Sequence, residues 1–288
     1  MNHPPHNLAI DIGNSGLRLS LLDVERQGVG EPLRINWSHG CSEQVPASGS
    51  VGSESRSLAD RFLPDSEDWY PIVQQWLAQH TASEAAAWLI SSVRGDATVR
   101  LTEFIKRRPG DVPRVIGFRD VPMQVEVNLP ERLGIDRLLA AFAAAATNDA
   151  RPLIVIQAGS AVTIDLVTRT ADGGDAFAGG AILPGVPMML RLLGRGADML
   201  PEIEADDLIE LPPLPGKSTE AAMLCGTSSA LVGGVQHMVG RYRDAFGPDT
   251  PVVISGGDGM RLSPYLAPPV RVQDHLVQRG LLRLLPRF

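Results

Sequence analysis

Near the start of the chain, Leu8-Ala9-Ile10-Asp11-Ile12-Gly13-Asn14-Ser15-Gly16-Leu17-Arg18-Leu19 sets a carboxylate at the end of an apolar run. A turn of small residues follows, and then a second alternating run. That order suits phosphate chemistry. A small-residue turn lets backbone N–H groups and the Asn14 and Ser15 side chains approach phosphate oxygens, and Asp11 can face a magnesium ion. A second segment, Leu153-Ile154-Val155-Ile156-Gln157-Ala158-Gly159-Ser160-Ala161-Val162-Thr163-Ile164-Asp165, repeats the pattern. One such turn is more often a plain hairpin than a site. Two of them, half a chain apart, predict duplicated lobes with a nucleotide cleft between them.

The elements that must carry these turns follow from the periodicity around them. The first hairpin ends near Asp23. Residues 39–57 turn to Ser, Gly and Glu, which predicts a mobile loop inserted between strands. Helical spacing over residues 69–80 places Ile72, Val73, Trp76 and Leu77 in a core. A strand at 87–93, a helix at 98–108 and a strand at 114–118 complete an α/β lobe. Leucine and alanine then make a helix from Ile135 to Ala146. Beyond the second hairpin the pattern gives a short strand at 179–183, a helix at 188–193 and an extended, Pro-rich connection at 201–215. A long helix over 218–246 and a buried strand at 252–255 come next. The turn Gly256-Gly257-Asp258-Gly259 suits either an adenosine or phosphate contact or a plain helix entry. A last helix covers 276–285.

Composition agrees. At 288 residues the chain exceeds a usual domain of roughly 100–150 residues, so two lobes are expected. A hydrophobic content of 44% supplies a core. The net charge of −7, with no long basic run, makes nucleic acid and an anionic membrane surface unexpected partners. Any phosphate site must therefore be local. Cys41 and Cys225 stand far apart with no metal-ligand spacing, which disfavours a disulfide framework or a zinc site and points to a reducing cytoplasm. The first residues lack the pattern of a signal peptide, and no apolar run reaches the roughly 20 residues of a membrane span. The histidines show no i, i+4 pairing and read as ordinary surface or core residues.

Four blocks in order then carry a resemblance: Asp11-Ile12-Gly13-Asn14-Ser15, Gly134-Ile135-Asp136-Arg137, Gly180-Ala181-Ile182-Leu183-Pro184-Gly185 and Gly216-Lys217-Ser218-Thr219. The chain resembles the type III pantothenate kinases, members of the acetate kinase/sugar kinase/Hsp70/actin superfamily. The Gly-x-Asp-Arg block is the specific element. The resemblance implies an α/β fold of two duplicated ribonuclease H-like lobes, an actin-like ATPase fold, with residues 1–133 and 134–288 as the lobes and the last helix packed back on the first. It implies ATP-dependent phosphorylation of pantothenate to 4′-phosphopantothenate, the first step toward coenzyme A, by a cytoplasmic homodimer.

The roles it implies are local. Asp11, Ile12, Gly13, Asn14, Ser15, Gly16, Leu17 and Arg18 would bind the ATP phosphates, with magnesium at Asp11 and Ser160 as a second nucleotide contact. Asp136 would be the general base. Val127, Gly134, Ile135, Asp136, Arg137 and Thr219 would border pantothenate. Relatives place an Asp at position 157, where it helps bind a monovalent cation such as potassium or ammonium; here Gln157 brings an amide oxygen without charge. Many relatives also carry an aromatic residue where Val127 stands.

Elementary chemistry is consistent with these roles. Phosphoryl transfer needs positioned phosphates, charge neutralisation and an aligned nucleophile. An Asp at a helix start can take the proton of an attacking hydroxyl, and a permanently charged Arg can hold an oxygen beside it. The blander reading of Asp136 is an acid stabilising its helix dipole by about 0.3–1 kcal/mol. Two other functions remain open at this level: a non-catalytic nucleotide-binding regulator of the same fold, and a superfamily kinase acting on another alcohol.

Overall fold

A computed structural model describes residues 6–37, 69–81, 86–203 and 211–288. The expected loop at 39–57, Cys41, and residues 204–210 of the expected Pro-rich connection lie outside the described residues. The chain divides into two compact units, Met1–Arg26 with Gly30–Val115, and Gln27–Val29 with Ile116–Phe288.

The first unit is built on a sheet. Strands β1 (His6–Ile12) and β2 (Gly16–Asp23) form the expected antiparallel hairpin, and β3 (Leu33–Asn36) adds antiparallel to β2. On its other side β1 runs parallel to β4 (Ala86–Ser92), and β4 runs parallel to β5 (Val112–Val115). Helices α1 (Trp69–His80) and α2 (Gly95–Lys106) supply the parallel crossovers. Leu8, Ile10 and Ile12 face these helices and pack with Val73, Leu77 and Leu101. Period-two alternation therefore puts Asp11 on the opposite face.

The second unit repeats this topology strand for strand. Strands β7 (Leu153–Ala158) and β8 (Ala161–Arg169) form the central hairpin, and β9 (Asp175–Pro184) lies antiparallel to β8. On the other side β7 runs parallel to β10 (Val252–Ser255), which runs parallel to β11 (Val270–Val272). Both sheets thus read third, second, first, fourth, fifth, the ribonuclease H-like order. A two-residue strand β6 (Gln124–Val125) extends the second sheet beside β9. Ile154, Ile156 and Ile164 face helices α4 (Val186–Gly196) and α5 (Thr219–Phe246). The alternate residues Val155, Gln157, Thr163 and Asp165 then face the other way, toward α3 (Ile135–Ala145). The last helix, α6 (Leu276–Leu284), packs along α3, where Gly280 allows the Leu139 carbonyl to come close.

Several expectations shift in detail. Trp69, Val73 and Leu77 form the buried stripe of α1, while Ile72 is exposed and Trp76, partly buried, packs against the edge of the core and stacks on His80. Strand β9 begins at Asp175, ahead of the expected 179, because pairing with β8 extends it. Strands β3, β6 and β11 were not expected. Each has four residues or fewer, too short to show a period, and exists through its partner.

Candidate functional site

In the first unit the hairpin between β1 and β2 is closed by the Gly13 N–H donating to the Gly16 carbonyl at 2.9 Å. Gly16 must be glycine, since a Cβ there would run into the Ile35 carbonyl of β3. Asp11 is buried at the end of β1. Its Oδ1 accepts from the Ser91 hydroxyl at 3.2 Å, and its Oδ2 lies 3.5 Å from the Arg18 guanidinium directly across the hairpin. Asn14 is exposed at the tip, with Gly13, Ser15 and Gly16 half-buried beside it. The structure thus brings Asp11, Gly13, Asn14, Ser15, Gly16 and Arg18 together on one hairpin. Ile12 and Leu17 differ: their side chains belong to the core, and only their backbone can serve a ligand.

Trp37 was not anticipated. Its indole N–H donates to the Gly13 carbonyl at 3.0 Å, and its backbone N–H donates to the Ser15 carbonyl at 2.9 Å. Both bonds engage carbonyl oxygens of the turn, whose lone pairs would otherwise repel an anion. The Arg94 guanidinium lies 5.9 Å above the Trp37 ring. A tryptophan beyond a short strand carries no local signal for this contact.

In the second unit Gly134 caps α3, its carbonyl accepting from the Arg137 and Leu138 N–H groups at 3.1 and 3.3 Å. Asp136 sits in the first turn, and its Oδ1 accepts from the Arg137 N–H at 2.9 Å. Burial nevertheless raises the Asp136 pKa above the ordinary 3.8, against the pull of that N–H and of the Arg137 charge. A carboxylate that holds a proton more readily is a better base. Ile135 is buried, so its side chain packs inside and only its backbone can serve a ligand.

The Arg137 side chain turns to β8. Its Nε lies 3.1 and 3.3 Å from the two Asp165 oxygens, and its Nη2 also donates to Oδ1. Phe177 packs 5.5 Å from the same guanidinium. Burial pushes the Asp165 carboxyl up to about 6, although Arg137 opposes the rise. Sequence reasoning quoted Asp165 but gave it no role. The available signal was one acid between Ile164 and Leu166 in an otherwise apolar strand, which at that depth must be paired.

Gln157 Nε2 donates to the Asp136 main-chain carbonyl at 3.3 Å. Ser160 lies in the β7–β8 turn, its carbonyl accepting from the Gly185 N–H at 3.0 Å. Val127 lies beside Gly179 next to β9. Thr219 is exposed as the first residue of α5, one position after Ser218, whose hydroxyl caps the helix by accepting from the Ala221 N–H at 3.2 Å. Asp136, Arg137, Gln157 and Asp165 therefore form one connected polar group, with Val127, Ser160 and Thr219 on other elements of the same unit.

Comparison with known proteins adds a name to this geometry. A family model described as type III pantothenate kinase matches residues 7–241. A type III pantothenate kinase from Rhodopirellula baltica is 40% identical over 176 residues, spanning 60% of this chain and 61% of that one. One from a Nostoc species is 31% identical over 270 residues, covering 90% and 84%. A solved structure named for a 2-dehydro-3-deoxygalactonokinase from Sinorhizobium meliloti is similar with a TM-score of 0.55 at 16% identity, over 98% of each chain. At that identity the likeness is one of fold.

Proposed function

The chain belongs to the type III pantothenate kinase family, and from that premise we propose how its own residues phosphorylate pantothenate with ATP, the first step of coenzyme A synthesis. The observation that carries the assignment of roles is Asp136. It is a carboxylate in the first turn of α3, raised in pKa by burial, with Arg137 beside it. Its Oδ1 is engaged by the Arg137 N–H, which leaves Oδ2 to accept the proton of the attacking hydroxyl. Arg137 holds a pantothenate oxygen. The Asp11–Arg18 hairpin receives the phosphates through its turn N–H groups and the Asn14 and Ser15 side chains, with Arg18 offsetting their charge. Ser160 is a second nucleotide contact, and Val127, Gly134 and Thr219 border pantothenate.

A divalent cation fits Asp11. Magnesium asks for hard oxygen ligands and keeps most of its coordination for water and phosphate, so one carboxylate at a strand end suffices. When bound, the ion neutralises charge on the phosphates. A monovalent cation does not fit at Gln157. The amide turns an N–H, not an oxygen, toward the Asp136 carbonyl, and it brings no charge. No step is routed through such an ion.

The kinase is proposed to work in the cytoplasm as a homodimer. Among the described residues no helix is long and apolar enough to cross a membrane. Ile182, Leu192 and Leu214 of the second unit are well exposed, as an apolar contact between copies would need. Light scattering on the full chain tests the dimer. The function itself is tested by coupled ADP release with ATP, magnesium and pantothenate. Release that requires pantothenate is expected; ADP formation indifferent to pantothenate counts against the assignment.

A further inference from the structure

We propose that Asp165 is a positioning residue that clamps the Nε–Nη2 side of Arg137, so that the arginine meets its substrate end-on, through Nη1 and the outer N–H of Nη2. The proposal rests on the reading of Arg137 as a pantothenate contact and deepens it.

Four observations carry it. First, Asp165 is fully buried at mid-strand, flanked by Ile164 and Leu166, on the sheet face that looks toward α3. Second, its carboxylate engages both Nε and Nη2 of Arg137, a side-on fork that fixes the plane of the guanidinium. Third, no other hydrogen bond to the Arg137 side chain exists among the described residues, so both Nη1 N–H groups and the outer N–H of Nη2 remain for a ligand. Fourth, the carboxylate has a prepared seat. Gly180 lies opposite Asp165 in the β8–β9 register, and a Cβ at that position would overlap Asp165 Oδ1 and approach the Ile164 carbonyl at 2.5 Å. The Phe177 ring packs against the guanidinium, and the β9 register shifts between Phe177 and Gly180.

A buried ion pair of this kind is a poor source of stability, because desolvation of both ions consumes most of the attraction. Its geometric effect is large. An arginine held by a fork and a ring has already lost the rotamer freedom that a mobile one would lose on binding. The fork also occupies the side-on edge of the guanidinium, so that only its end-on edge can face a ligand. What remains is one edge with three donors, held in a fixed plane and able to take one oxygen or the two of a carboxylate. The Asp165 charge offsets that of Arg137, so the site offers a directed donor more than a net positive charge.

The test is steady-state kinetics on the full chain for wild type, Asp165→Asn, Arg137→Gln and the double variant, with melting curves to establish folding. Loss of a hydrogen bond from a charged group predicts that Arg137→Gln raises the pantothenate KM roughly 10- to 100-fold. Asp165→Asn is expected to raise it about several-fold to tenfold while the ATP KM stays within about twofold, a split that a merely structural role would not produce. The double variant should match Arg137→Gln, because Asp165 acts through Arg137. Gly180→Ala, which disturbs the seat from the other strand, should give the same split. A folded Asp165→Asn with the wild-type pantothenate KM overturns the proposal alone, as does an effect fully additive with Arg137→Gln. Wild-type protein without pantothenate-dependent ADP release overturns the kinase reading and the proposal with it.

Discussion

Replacing Asp136 by asparagine separates the two jobs open to an acid in the first turn of a helix. As a dipole partner Asp136 contributes about 0.3–1 kcal/mol, so losing its charge can change an equilibrium by roughly fivefold at most. As the general base it lowers the barrier by about 2.7–5.4 kcal/mol, the equivalent of roughly 10²–10⁴ in rate. These ranges do not overlap. The substitution is also clean, since the carbonyl oxygen of the introduced amide can keep the bond from the Arg137 N–H while the amide nitrogen replaces the free oxygen. Stability moves in the opposite direction to activity. Burial raises the Asp136 pKa, so the stability linked to this group is complete below its ordinary 3.8 and is lost as pH rises through the raised value. A neutral amide avoids that loss. Coupled ADP release should therefore fall at least about a hundredfold, with calorimetric ATP binding retained and a melting temperature near neutral pH no lower than wild type. A variant that turns over within about fivefold of wild type would show Asp136 to be a helix-start acid and nothing more.

Three further outcomes follow from the same structure. Because Asp136 must be ionised to act and its pKa is raised, kcat/KM should decline on acidification with a midpoint above 3.8, while circular dichroism stays native; a limb confined to 3.8 or below would exclude it as the base. Gln157→Asp removes the N–H that meets the Asp136 carbonyl and puts a charged carboxylate, one methylene shorter, on the same face, so this variant should turn over faster in potassium than in sodium, whereas wild type should treat the two alike. Strong potassium activation of wild type would refute the reading of Gln157. Trp37→Phe deletes the indole bond to Gly13 while keeping an aromatic ring, and one hydrogen bond at about 0.5–1.5 kcal/mol predicts an ATP KM raised from about twofold to roughly tenfold. An equal rise in the pantothenate KM would argue that Trp37 acts on overall folding and not on the phosphate turn.

The repeated sheet was legible because its signals are local. Each central hairpin announces itself by a period-two run, a small-residue turn and another run, and the first parallel strand beside each, β4 and β10, is a buried apolar run. The same locality exposed the Asp11–Arg18 hairpin and the Asp136–Arg137 pair, whose members are near neighbours in the chain. Side-chain direction was less legible. Ile12 and Leu17 lie within the phosphate block, yet alternation turns both into the core beside Leu19. Ile72 and Val73 are adjacent, and only packing against the sheet decides which one is buried.

The residues that sequence reasoning missed support others across long chain separations. Trp37 reaches Gly13 by way of β3, which exists only because β2 pairs with it. Asp165 and Gly180 were both visible, one as a lone acid in an apolar strand and the other within a glycine pair. Nothing in either segment says that they face each other. That follows from register, and register in turn is constrained by where a charge can go. A slip of one residue between β8 and its neighbours would turn Asp165 from the α3 face to the face packed by Leu231 and Val235 of α5. There the carboxylate would lose Arg137 and stand unpaired in apolar surroundings, a cost of several kcal/mol. The pair that aims Arg137 therefore also helps to select the strand register that creates it, which ties the specificity of the fold to the geometry of the site.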